Sequence, residues 1–379
     1  MEAAARQIGI DPVALRRLNL LTSGEMPHQT MGGMAFDSIE AGKMIDTALE
    51  AADYEGFSTR EAATVAKGGL RGRAVIYYME RTGGGPDENA EITISALGEA
   101  VIRVGTQSTG QGHATAWAQV LTENLGLEWN AITLAAGDSD ALPLGGGTGG
   151  SRSAIMASRV IRLAAEEIVK KTLPAAAEEL EVAPADVEFD VADGAFVIAG
   201  TDRRVSLPAI VKKLGGVSGF GKVGDRENSF PNGCHVAEVE IDVETGKVTL
   251  DRYTMADDFG IIVNPLLAGG QAQGGIAQGV GQALLEGAVY DPESGLPLTA
   301  SFMDYAIPRA DDFPALEPRF VEVPCRTNHY GVKGCGEAGT VAGIPAATLA
   351  VHDALLRAGG RIVEGPFTPE RVWRALQPG

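Results

Sequence analysis

The segment Gly331-Val332-Lys333-Gly334-Cys335-Gly336-Glu337-Ala338-Gly339 sets one carboxylate inside a glycine-lined turn just ahead of a helix. Glycine lets the main chain approach what a Cβ would hold off, so four glycines around one acid indicate that backbone comes close to something bulky. Pro345 announces the helix, which carries Leu349, His352, Leu355 and Leu356 at helical spacing and stops at Gly359-Gly360. Taken alone, a single Glu in a glycine loop is usually a solvated turn residue. The rest of the chain decides whether this one is.

A chain of 379 residues can bury a substantial core as one large or two medium domains. Its 50 acidic against 31 basic residues give a formal charge of −19, which opposes binding to nucleic acid or an anionic membrane and favours a soluble cytoplasmic protein. No apolar run approaches the roughly 18 residues of a membrane span. Met1-Glu2-Ala3-Ala4-Ala5-Arg6 lacks the regions of a signal peptide. Three cysteines, Cys234, Cys325 and Cys335, are too few and too scattered for a disulfide framework, a zinc site or an iron–sulfur cluster. If electrons move here, they must leave for another subunit. The 50 glycines gather in several loops and form no low-complexity tract, as in a folded protein whose backbone packs against a ligand in several places.

The chain opens within an Ala-rich helix, Met1 to Ile8, and Asp11 caps a second one running to Leu18. Starting on a helix with no preceding cap looks like a truncation. Ile39 to Ala52 reads as a helix with Met44, Ile45, Ala48 and Leu49 on one face, and Arg71 to Arg81 as a strand. One design then recurs. Glu91 to Ser95 and Ala100 to Val104 form a hairpin, followed by the loop Thr109-Gly110-Gln111-Gly112-His113 and a helix bearing Trp117, Val120, Leu121 and Leu125. Val236 to Val243 and Lys247 to Met255 form another hairpin, followed by a loop with Gly269-Gly270-Gln271 and a helix from Ile276 to Leu285. Between them, Gly145 to Ser153 feeds a long helix, Ala154 to Leu173, as a chain does when it presents free N–H groups and a positive dipole end to phosphates. There is no GxxxxGK[ST] motif, and no GxGxxG follows a strand. Leu180 to Asp202 reads as a small surface lobe with its turn at Asp193-Gly194.

Five stretches, in order, resemble the large, molybdenum-cofactor-binding subunit of the xanthine dehydrogenase/aldehyde oxidase/carbon monoxide dehydrogenase family. They are Gln107 to His113, Gly147 to Ser153, Asp257-Asp258-Phe259-Gly260 with Asn264-Pro265, Gly270 to Gly275, and Gly331 to Gly339. The resemblance implies an α+β molybdenum-cofactor-binding domain with two related lobes of mixed sheets and helices. Residues 1–40 would be the remnant of a first cofactor-binding domain. Residues 41–379 would be the second, with lobes of about 41–230 and 231–379. It implies a molybdopterin, in bacterial members usually the cytosine dinucleotide, with iron–sulfur and FAD groups on partner subunits, and no metal ligand from the protein itself. Glu337 would be the general base that deprotonates a metal-bound hydroxide for attack on an electron-poor carbon, a role suited to a buried carboxylate whose pKa is raised. Gly110, Gln111, Gly112 and His113 match the loop that hydrogen-bonds the pterin. Gly149, Gly150, Ser151, Arg152 and Ser153 match the loop at the dinucleotide end, and Lys333 and Gly336 belong with the cofactor contacts of the Glu337 turn. Gln271 matches a glutamine near the metal's oxo ligand, where an amide donates and accepts without adding charge.

Two departures bear on the pocket: Gln273 stands where His or Glu is more familiar, and Cys335 where an aliphatic residue is usual. The family's GGxFG stretch and substrate-shaping loop lie upstream of the segment matching Met1, so the chain corresponds to roughly the C-terminal half of the large subunit. The expected activity is oxidative hydroxylation of an aldehyde, N-heterocycle or CO-type substrate. The alternatives are a split or truncated half that binds the cofactor only with a chain supplying the upstream domain, and a glycine-rich phosphate-binding protein unrelated to molybdenum.

Overall fold

The computed structural model describes residues 1–142, 145–224 and 228–377. In chain order, the elements that position the site are α1 (Ala41–Ala51), β1 (Gly69–Met79), β2 (Glu88–Ser95), β3 (Ala100–Val104), α2 (His113–Leu125), β4 (Ile132–Ala136), α3 (Ser153–Glu179), β5 (Gly216–Val223), β6 (Asn232–Asp242), β7 (Val248–Asp258), α4 (Pro265–Leu284) and α5 (Ala338–Arg357). Sheets and helices alternate in two layered lobes, as the α+β reading expects.

In the first lobe the sheet runs β5-β2-β3-β4, antiparallel except for the β3/β4 pair. Period-two alternation turns Ile92, Ile94, Ile102 and Val104 inward, where they meet Val160 and Ile161 of α3 and Leu121 of α2. The glycines of β5 let α3 lie directly on the strand. A Cβ added at Gly219 or Gly221 would come 2.1 Å from the carbonyl oxygen of Ala164 or Val160. Helix α3 passes through Pro174 to Glu179 and does not stop at Leu173. A proline removes its own N–H from the ladder and crowds the carbonyl four residues back, but the buried Thr172, Ala176 and Ala177 hold the helix on both sides of it.

The second lobe is built on the antiparallel sheet β7-β6-β1. Strand β6 is covered on both faces: Cys234 and Val236 pack with Met44, Ile45 and Ala48 of α1, and Ala237, Val239 and Ile241 pack with α4 and α5. The boundary expected near residue 230 therefore does not divide the sheets. Residues 41–79 supply α1 and β1 to the later lobe, because a sheet whose hairpin is buried on both faces takes its third strand from wherever the chain passes.

Three other expectations change. Gly269-Gly270-Gln271 is not a loop. Asn264 accepts the Leu267 N–H at 3.0 Å with Pro265 in the first turn, so α4 begins there and takes in every glycine through Gly275. The hairpin and helix recur, but the Gly/Gln loop does not. Pro345 lies inside α5, and the residue that stands at the helix start is Glu337. Helices α4 and α5 touch backbone to backbone, since a Cβ at Gly339 would lie 2.3 Å from Ala272 O and one at Gly275 2.9 Å from Thr340 N. Finally, α5 is by length and composition apolar enough to cross a membrane. Thr340, Thr348, His352 and Asp353 interrupt it as a run, and its Ala338, Ala342, Ala346, Ala350 and Ala354 are buried in the second lobe's core.

Candidate active site

A cavity of about 400 Å³ lies where the two lobes meet, bordered by the starts of α2, α3, α4 and α5 and by the strand exit at Phe259 to Asn264. It gathers Gly110, Gln111, His113, Gly149, Gly150, Ser151, Ser153, Gln271, Lys333, Gly336 and Glu337, residues scattered over 228 positions of sequence (337 − 110 + 1). Its apolar wall is Phe259, Ile261, Ile262, Val263 and Leu267. Among the described residues no group of three His, Cys, Asp or Glu side chains could hold a metal ion directly.

Glu337 stands at the N-terminus of α5. Ser151 Oγ donates to Glu337 Oε2 at 2.9 Å and accepts the Glu337 N–H at 3.2 Å, which ties the α5 start to the glycine loop before α3. Glu337 is exposed, not buried as expected, because it sits on the open rim of the cavity. Beside it Cys335 is pushed up to about 12, by burial first and then by the charges of Asp257 and Glu80. It therefore presents a thiol to the cavity.

Several expected cofactor contacts instead brace the walls. Gln111 folds back on its own loop, accepting from Thr109 N at 2.6 Å and donating to Gln107 O at 3.3 Å. His113 opens α2 with Nδ1 3.2 Å from Thr106 O, and burial, above all, lowers its pKa, so the ring is neutral. Gly112 is absent from the cavity lining; its φ of +80° and the 2.5 Å that would separate a Cβ from Leu267 make it a packing glycine. Arg152 turns away from the cavity: it donates to Glu88 Oε2 at 2.8 Å and to the carbonyls of Gly84, Pro86 and Gly147, so all three of its nitrogens are engaged. The Lys333 ammonium is likewise committed, at 2.5 Å to Asp258 Oδ2 and 3.0 Å to Ser38 O, although the residue borders the cavity. Gln271, by contrast, points from α4 into the cavity with no hydrogen bond from its amide to another described residue. Gln273 instead donates to Leu316 O at 2.7 Å.

Two roles were not legible in the sequence. The Asp257-Asp258 pair is a clamp: Asp257 Oδ1 accepts from Tyr78 and His235, while Asp258 holds Lys333 and the N–H groups of Gly260 and Val323. Glu80, one residue past β1, is acted on by Glu337 at the start of α5. The contacts of the clamp with Tyr78, His235, Val323 and Lys333, and that of Glu80, join residues tens to hundreds of positions apart and leave no local signal.

The model of the molybdopterin cofactor-binding domain matches residues 47–314. The chain belongs to this family. It is 33% identical to the nicotine 6-hydroxylase large subunit of Paenarthrobacter nicotinovorans, covering 100% of this chain and 49% of that one. It is 30% identical to the carbon monoxide dehydrogenase large chain of Hydrogenophaga pseudoflava, covering 100% and 50%. Among solved structures, quinoline 2-oxidoreductase from Pseudomonas putida 86 superposes with a TM-score of 0.91 at 29% identity over 99% of this chain and 50% of that one. The chain spans about half the length of the curated relatives it matches. The α+β lobes are those of the family's cofactor-binding domain.

Two features fit the cavity to the family's anionic pterin cofactor. The helices α2, α3 and α5 all start on it without a side-chain cap, so the donors and positive dipole ends of three helices face one space. In addition, a Cβ at Gly110, Gly149 or Gly150 would meet nothing within 4 Å. Gly110 and Gly150 hold backbone with φ of +117° and +57°, which favours glycine whatever the space; Gly149 has no such constraint, and it lines the cavity.

Proposed function

We propose that this chain is the cofactor-binding part of a molybdenum hydroxylase large subunit that hydroxylates an electron-poor carbon of an aldehyde, N-heterocycle or CO-type substrate. The oxygen comes from water, which joins the substrate as two protons and two electrons leave. The electrons pass to iron–sulfur and FAD groups on partner subunits, since this chain's three cysteines are too few and too scattered to build an iron–sulfur cluster. The observation that carries the reading is the convergence of three uncapped helix starts and Glu337 on one cavity in a member of this family.

When bound, the cofactor supplies the two-electron oxidant and an acidified water-derived oxygen. The chain's own residues do the rest. The helix starts and the Gly149-Gly150-Ser151 turn receive the phosphates of a dinucleotide form, which we take to be the cytosine dinucleotide. The free amide of Gln271 offers both a donor and an acceptor without charge. Glu337, aimed by Ser151, takes the proton at its carboxylate, and the apolar wall from Phe259 to Leu267 excludes water from that side. The acidic composition supports a cytoplasmic protein that binds neither nucleic acid nor membrane.

One observation favours a second reading. Glu337 is exposed on an open rim, so a chain supplying an upstream domain would complete the cavity, and this chain would be inactive without it. Metal and nucleotide analysis of the protein purified alone and with its partners tests both. Molybdenum and cytosine nucleotide in equal amounts in the complex support the first. Their absence from the complex overturns it, and a loaded, active chain on its own overturns the second.

A further inference from the structure

The Glu80 N–H donates to Pro231 O at 3.0 Å, which fixes its main chain at the end of β1. Its Oε2 is buried and accepts no hydrogen bond. No Lys or Arg among the described residues pairs with it. The side chain that acts on this carboxyl is Glu337, at the start of α5. The Cys335 thiol and the Tyr78 hydroxyl are the other titratable neighbours, and Asp257, at the end of β7, acts on both. Two ionised carboxylates are acceptors only, and in contact they repel. One proton between them removes the repulsion and gives the orphaned oxygen a partner. Burial decides who holds it: Glu80 Oε2 is shut off from water, whereas Glu337 is exposed and already receives a hydrogen bond from Ser151.

We propose that Glu80 is the proton-holding partner of Glu337, a neutral carboxyl that donates to the Glu337 carboxylate and, with Ser151, fixes the direction from which Glu337 takes up a proton. Glu80 is thus a positioning residue, and the inference rests on the reading of Glu337 as the base. Burial first, then the hydrogen bond and charge of Glu337, push Glu80 up to about 8. Glu80 is neutral below that value and charged above it, where two carboxylates then face each other.

Infrared spectra of the purified chain, followed through the carboxylic C=O band from about pH 5 to about pH 10, test the pair without requiring turnover. The parent is expected to keep a protonated carboxyl at neutral pH that is lost near 8. Glu80→Gln removes this band. Glu337→Gln, which leaves Glu80 untouched, keeps the band but lowers its midpoint by about one unit as the partner charge goes. A parent with no such band, a band that survives Glu80→Gln, or a midpoint unmoved by Glu337→Gln overturns the pair. In the assembled enzyme, Glu80→Gln also removes the alkaline step near 8 from the pH profile of kcat, and an unchanged profile overturns the positioning role. Glu337→Gln turnover within tenfold of the parent sinks the base reading separately, whatever the band does.

Discussion

Ser151 and Glu337, 186 residues apart, are joined twice: the serine hydroxyl donates to the carboxylate at 2.9 Å and accepts the glutamate's own N–H at 3.2 Å. The loop that would cradle phosphates and the turn that carries the acid are therefore one rigid unit. Ser151 holds a φ of +48°, a region non-glycine residues rarely enter, so surrounding structure enforces its position. Ser151→Ala removes both contacts at once. A hydrogen bond to a charged group contributes about 1.5–3 kcal/mol, so kcat should fall by about tenfold or more while molybdenum content stays at the parent's level. Steady-state kinetics normalised to metal content measure this.

Glu337→Gln is expected to remove nearly all turnover, by at least about a hundredfold, while molybdenum content is unchanged, because an amide keeps shape and hydrogen bonding but cannot accept the proton. If kcat survives within tenfold, another group takes the proton.

Most of the fold was written in local pattern. The hairpins, the Asp11 cap and the Trp117 helix face needed only alternation, turn chemistry and capping to be read, and the ordered motifs line the cavity. What was lost depended on tertiary contacts. Helix α4 absorbs Gly269 to Gly275 because α5 lies against that backbone, and α5 tolerates Pro345 because its alanines are buried on both sides. Arg152 and Lys333 read as cofactor contacts by motif, yet their partners Glu88 and Asp258 lie 64 and 75 residues away, where spacing carries no signal.

The glycines divide by what a side chain would meet. Gly149→Leu projects into open cavity, so the unfolding midpoint should stay within about 0.5 kcal/mol of the parent while cofactor occupancy falls by about tenfold or more. Gly334→Ala should do the reverse, since its Cβ would stand 2.2 Å from Ser151 O. It costs about 1–3 kcal/mol by displacing the loop. Urea unfolding and metal analysis on both variants separate the classes, and equal destabilisation by the two would refute the division.

Lys333 and Asp258 are fully buried against each other at 2.5 Å. Lys333→Met leaves the carboxylate with Asn232 and two backbone N–H groups but no countercharge, and removing one partner of a buried pair costs about 3–5 kcal/mol. Adding Asp258→Asn should restore at least about 1 kcal/mol of that loss, because no charge is then stranded. Urea midpoints of the two singles and the double close the cycle, and strict additivity would show that the pair is not coupled.

The raised pKa of Glu80 also sets a pH dependence of stability. Unfolded, a glutamate ionises near 4.3; folded, Glu80 does so near 8, because burial and then Glu337 oppose its charge. Between these values the folded state holds a proton that the unfolded state has released, so stability falls as pH rises from about 4.3 to about 8 and this contribution then levels off. Below the unfolded value both states are protonated and the penalty is absent. Gln cannot ionise in either state, so Glu80→Gln should match the parent at pH 4 and gain on it steadily toward pH 8. There its melting temperature should stand about 2 °C or more higher, a lower bound because Glu80 is only part-buried and water relieves some of the penalty. Thermal unfolding of both proteins at matched pH values gives the difference directly. A gap that is constant across this window, or that widens toward acid, would mean that Glu80 enters the folded state already ionised.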